Sequence, residues 1–408
     1  MEEEADTQDQ KADLKWEVGS TGTSGGSHQG ELPKMQPAEV EVILNRNNIF
    51  TDDIAARSRG QSLIKQASDI LEKRRQSGKM ADDKAQKLVN KIGDLSTATE
   101  ATFLFGVWNT IHGDGRFVVK RGADGTEPEL SPEQLEQAVN WIERDWLDDD
   151  RLRTEMQATF HAESVPALEQ TTSEELNVLL AEVPRISIPK PDLAAGFLSQ
   201  AFDPSAFQVL TALGAGVTSN QWGTFWISEV KGGGGLAKEA YQQLARGSAC
   251  VTSDLRRFIK AADAILSMAA RSQDKPVRPH TRLSINSPGP DTNSFAFGMT
   301  LTTEMAKMWV SWIEVCEDKA EKWHIHTLDS YSLEKVSEIQ RLRVHLNNIF
   351  DWGCAKRLAF IKDLCAKVAR HLAALPPKEK ELALKAAIAV KSAGKVQRTA
   401  GSKRARDE

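Results

Sequence analysis

The chain has 408 residues, of which 40% are hydrophobic and 27% charged, with a formal net charge of −5 at pH 7. That length admits two or three ordinary domains or one two-lobed body. A near-balanced charge excludes a surface that is basic throughout, so any polyanion has to be held by a local patch.

Residues 1–40 carry nine acids against three bases and almost no apolar periodicity, and they read as a disordered acidic arm. Trp16 is its one aromatic and a candidate anchor for a partner. A first helical lobe is expected over 41–183. Thr51-Asp52-Asp53 opens a helix that runs toward Gly78, and further helices fit 81–92 and 98–112. Gly115–Gly122 is the best strand candidate, with Asp124-Gly125 as its turn. Ser131-Pro132-Glu133-Gln134 forms a capping box ahead of Leu135, Val139, Trp141, Ile142 and Trp146. Another helix fits 173–182.

Pro184, Pro189 and Pro191 make 184–202 an expected linker and lobe boundary. A second helical lobe then spans 203–375. Asp203-Pro204 caps a helix through Leu213, and Gly214-Ala215-Gly216 breaks it. Trp222–Ile227 is an aromatic-rich segment, followed by Gly232–Gly235, read as a flexible run. Helices fit 236–246 and 253–270, a long loop fits 272–300, and helices fit 303–322, 332–350 and 355–375. After Pro376-Pro377 comes a basic arm, 376–408, with nine bases against four acids, which opens with an Ala/Lys-rich helix to about Ala393. The fold class predicted is mainly α: a two-lobed helical body with at most one small β-hairpin, flanked by disordered arms.

Motifs for chemistry are scarce. Neither glycine run is followed by Gly-Lys-Ser/Thr, so neither reads as a phosphate loop. The cysteines, Cys250, Cys316, Cys354 and Cys365, form no CxxC pair, which argues against a disulfide framework and for a reducing compartment. His324 and His326, near Cys316, His345 and Cys354, match no zinc spacing, and a polar turn accounts for them. Ser248, Cys250 and Ser253 are placed in one loop, without a nucleophile elbow. No cofactor, no metal and no enzymatic activity are expected. No apolar stretch approaches the roughly 20 residues that span a bilayer, and no secretory signal is seen, so no membrane is expected either.

Basic groups are the more suggestive signal. Arg256, Arg257 and Lys260 share a helix, and Lys275, Arg278 and Arg282 follow in the next loop. Arg116, Lys120 and Arg121 flank the strand candidate, and Lys73, Arg74, Arg75 and Lys79 form a third cluster. Such clusters suit phosphates. Lys403, Arg404 and Arg406 form a short run that suits nuclear import.

In organisation (an N-terminal arm, a two-lobed helical body, a hinge and a C-terminal arm) the chain resembles nucleocapsid or coat proteins of RNA viruses with helical particles. The resemblance rests on layout and on no residue motif. It implies single-stranded RNA in a basic cleft between lobes, homo-oligomers joined through the arms, and a place in the virion and host cytoplasm, with the nucleus reached through the basic run. A helical scaffold that binds protein partners through its charged tails is the alternative. A helical enzyme whose site leaves no motif is the third reading.

Overall fold

A computed structural model describes residues 37–74, 80–107, 152–166, 187–272 and 287–392, less a few positions inside those spans. Its centre is a mixed β-sheet. The strands are β1 (Ile49–Thr51), β2 (Leu152–Met156), β3 (Leu193–Phe197), β4 (Trp222–Val230), β5 (Gly289–Pro290), β6 (Ala296–Leu301), β7 (Met305–Val315) and β8 (Glu321–Ser332). They lie in the order β1-β8-β7-β6-β4-β3-β2, with β5 paired to β7. The pairs β2–β3, β3–β4, β6–β7 and β7–β8 are antiparallel. β4 and β6 are parallel, and so are β1 and β8. Parallel neighbours need a crossover, and between β4 and β6 it is the helix α6 (Ala237–Ser272).

The other helices are α1 (Pro37–Arg46), α2 (Ile54–Arg59), α3 (Gln61–Leu71), α4 (Asp82–Asp94), α5 (Pro204–Leu213), α7 (Val336–Trp352), α8 (Leu358–Ala374) and α9 (Pro377–Ser392). A π-helical turn, Gly353–Arg357, joins α7 to α8. Among the described residues, no helix is long and apolar enough to cross a membrane.

The expectation of a mainly α body with at most one hairpin is therefore overturned. The physical reason is burial on both faces. Strands covered on one face alternate apolar and polar residues, but strands covered on both read as continuous apolar runs. β7 shows the trap. Met308, Trp309, Trp312 and Ile313 recur at helical spacing, yet all four are buried in a strand. Alternation appears only in where they point. Met308, Val310 and Trp312 enter the larger core, whereas Trp309 and Ile313 enter the smaller one.

The segment 184–202 contains β3, all of whose residues are buried and which pairs on both sides. Two local readings match the structure. Asp203 caps α5 by accepting from the Ala206 amide at 2.9 Å, and Gly214 ends that helix at φ 63°. The helices expected over 236–246 and 253–270 are one helix of 36 residues, so Ser248, Cys250 and Ser253 are helical. At Gly247 this helix presses on the sheet: a Cβ there would lie 2.7 Å from Ile227 Cδ1. Gly247→Val is expected to lower unfolding stability by about 2 kcal/mol through overpacking, as a shift of the denaturant midpoint with unchanged m-value.

Candidate active site

The pairing of β3 with β4 sets the site. Leu193 lies opposite Ser228, so the residue before β3, Asp192, comes beside Glu229. The Val230 amide donates to Asp192 Oδ2 at 2.6 Å and fixes that carboxylate. β4 also pairs with β6, with Glu229 opposite Thr300 and Val230 opposite Leu301. The Lys231 amide continues this ladder to the Leu301 carbonyl at 2.8 Å. Glu229 and Lys231 are two apart on an extended chain and project to one side. They stand at the carboxyl ends of two parallel strands, where open mixed sheets place ligands.

A fourth charged group arrives from the N-terminal part of the chain. Lys231 Nζ meets Glu100 Oε2 at 3.0 Å. The glycines after Lys231 make that approach possible. A Cβ on Gly232 would lie 2.9 Å from the Glu100 backbone, and one on Gly233 would lie 2.5 Å from the Ser96 carbonyl. The Gly233 amide donates to the Ala98 carbonyl at 3.4 Å. The run expected to be a flexible hinge is, at these two positions, a close backbone contact. Arg246 of α6 closes the far side, where its guanidinium donates to the Ser187 hydroxyl.

The three acids descend from solvent into the protein. Glu100 is half-exposed, Asp192 is half-buried, and Glu229 is only 3% exposed. Burial pushes the Asp192 carboxyl up to about 6, assisted by the charge of Glu100 and opposed by the Val230 amide and by Lys231. Burial, then the charge of Asp192, holds Glu229 well above the usual carboxylate range. Lys231 and Arg246 act on Glu229 in the opposite sense but do not cancel the effect. Arg246 is itself depressed by burial. Among the described residues, the Glu229 carboxylate makes no hydrogen bond and no ion pair. Arg246 Nε and Ser228 Oγ are also buried without a hydrogen-bond partner.

A buried carboxylate with no partner is costly unless it is neutralised or binds a cation. Oxygen-only donors of this kind suit Mg²⁺ or Mn²⁺ rather than softer metals. Asp192 and Glu229 are thus two oxygen donors side by side in the β3–β4 register, of the type that hard divalent ions take. A cavity of about 340 Å³ lies elsewhere, between α3 and the turn that joins α7 to α8. Its charged lining residues, such as Lys65, Asp69 and Lys356, are exposed, the ordinary setting of solvated charge.

The residues singled out from sequence lie apart from this cluster. Arg256 is 2% exposed and grips Asp291 at 2.8 Å and Glu321 at 2.5 Å. Lys260 meets the same Glu321 at 2.5 Å, and Arg257 lies 3.8 Å from Asp254. Arg256 and Lys260 are thus engaged by internal acids, which takes them from an RNA surface. Arg116, Lys120, Arg121, Lys275, Arg278, Arg282, Lys403, Arg404 and Arg406 lie outside the described residues, as do the strand candidate 115–122 and the capping box at 131–134. His324 and His326 sit inside β8 rather than in a turn. Burial pushes Cys250 and Cys365 up to about 12, so both are packing groups rather than nucleophiles.

Sequence reasoning missed Asp192, Glu229, Lys231, Arg246 and Glu100. One signal was present: Pro191-Asp192 opens a short apolar run, and Glu229-Val230-Lys231 closes a longer one. Charges at the ends of buried strands are candidate site residues only once those runs are read as strands.

Residues 126–365 match the family described as a domain of unknown function, DUF7924. The match spans more than half of the chain, which belongs to that family. Asp192, Glu229, Lys231 and Arg246 lie within it, and Glu100 precedes it. No curated protein and no solved structure matches the chain.

Proposed function

We propose that this member of the DUF7924 family is a divalent-cation-dependent hydrolase that cuts phosphodiester bonds in nucleic acid. The observation that carries the reading is the meeting of Asp192, Glu229 and Lys231 at one sheet end, with Glu229 only 3% exposed. A bound Mg²⁺ or Mn²⁺ would activate a water and neutralise phosphate charge. Asp192 and Glu229 supply the oxygen ligands. The Val230 amide keeps Asp192 in place. Lys231 offers a point charge to a phosphate oxygen as charge develops there. Glu100 holds that ammonium at 3.0 Å. Arg246, with an unpartnered Nε, suits a neighbouring phosphate.

Hard-cation sites built from a few carboxylates usually work on phosphates. Lys231 and Arg246, two cations beside the acids, suit a polymeric polyanion with successive phosphates. RNA, read from sequence as the cargo of a coat, thereby becomes a candidate substrate together with DNA.

The test is incubation of the purified protein with single- and double-stranded DNA and RNA in Mg²⁺ or Mn²⁺. Cleavage that stops with chelator and returns with excess cation is the expected result. Tight binding of RNA without cutting, in either cation, would favour the coat reading instead.

A further inference from the structure

A group of side chains that could hold a metal ion lies on other elements than Asp192 and Glu229. Glu72 caps the C-terminus of α3, Asp329 belongs to β8, and His345 belongs to α7. One ligand atom from each lies within 4.8 Å of the others. His345 is 3% exposed, whereas the Glu72 side chain reaches it from the surface.

The Tyr331 hydroxyl lies 2.6 Å from His345 Nδ1 and holds the ring in place. Nε2 makes no hydrogen bond and faces Glu72 Oε1 at 3.7 Å. Asp329 Oδ2 lies 3.6 Å from the same ring, at Nδ1.

The spacing suits a metal. Bonds of about 2.0–2.2 Å to a tetrahedral ion put its donors roughly 3.4 Å apart. A ligating imidazole also commonly donates its other N–H to an oxygen partner that orients the ring, which Tyr331 supplies. Arg341 braces the surround: it lies 5.0 Å over the Tyr331 ring and 3.2 Å from Asp329. Imidazole nitrogen and carboxylate oxygen are both ligand types that Zn²⁺ takes. We propose that Glu72, Asp329 and His345 form a zinc-type site that ties the end of α3 to β8 and α7. It stands independently of the function proposed for the β3–β4 cleft.

The experiment saturates full-length protein with Zn²⁺, removes free ion by gel filtration and counts bound metal. Wild type is expected to retain one zinc more than Glu72→Gln, whose apparent affinity falls at least tenfold. The Asp192→Asn/Glu229→Gln protein is expected to keep this zinc. His345→Gln should behave like Glu72→Gln; if it is unstable, the exposed Glu72 variant still gives the reading. Equal zinc in wild type and Glu72→Gln, or no zinc retained by wild type, would overturn the proposal.

Discussion

Glu229→Gln is expected to abolish cation-dependent cleavage and, in the same protein, to raise stability in the absence of metal. The two effects share one cause. Glu229 is 3% exposed and, among the described residues, has neither a hydrogen bond nor an ion pair. An amide of the same shape removes the buried charge at a gain of about 1–3 kcal/mol. It also removes a ligand, and activity should fall on the order of 10³, the scale of losing one charge-stabilising group. Asp192→Asn should act alike. The pH dependence has a definite sign. Asp192 is raised from 3.8 to about 6 in the folded protein, so between about pH 4 and 6 the native state binds more protons than the unfolded one. Stability then falls as pH rises through that window, by up to about 3 kcal/mol for a two-unit shift. Glu229, raised further, extends the decline upward. Added Mg²⁺ or Mn²⁺ should restore stability at pH 8 and do little at pH 4. Thermal melts at both pH values, with and without cation, check this. A variant that loses activity and stability together would point to simple misfolding.

The second large effect concerns Arg256. On a coat reading, reversing its charge weakens RNA binding. In this fold Arg256→Glu is expected to unfold the protein. Its guanidinium lies between Asp291 and Glu321, and Glu321 also receives Lys260. The carboxylate of Glu321 sits below its usual range because Arg256 and Lys260 outweigh its burial. A third acid in that place leaves buried negative charge uncompensated, at 3–5 kcal/mol or more. Arg256→Met, which keeps the stem, should fall between. Circular dichroism and denaturant titration of both variants decide the matter; a stable, folded Arg256→Glu protein would show that the network is not structural.

These two sites also mark how far the sequence could be read. Helix α5 was legible because its ends are local: Asp203, Pro204 and Gly214 each act within a turn of the chain. β4 and β7 were not, because both their faces are covered and the alternation that marks a strand vanishes into uniform burial. Lys260 looked like a free cation because its partner, Glu321, lies far along the chain. Asp192 looked like the end of a linker for the same kind of reason. Its meaning comes from Glu229, which only the β3–β4 pairing brings alongside. Charge is written in the sequence, but whether a charge meets water, a counter-charge or nothing is decided by non-local pairing.

Helix α6 carries a further consequence. Its first half packs into the smaller core with Leu244 and Val251, and its second half into the larger core with Phe258 and Ile265. At 1.5 Å per residue it is about 54 Å long, a single rod through both. The stretch shared with the family ends at 365 and begins at 126, yet the larger core also needs Leu63, Leu88 and Phe103 before it and Val368 and Ala387 after it. The unit that heredity repeats and the unit that can stand alone in water are therefore different objects. A fragment trimmed to the shared stretch would bare one end of the rod and lose Glu100 with it.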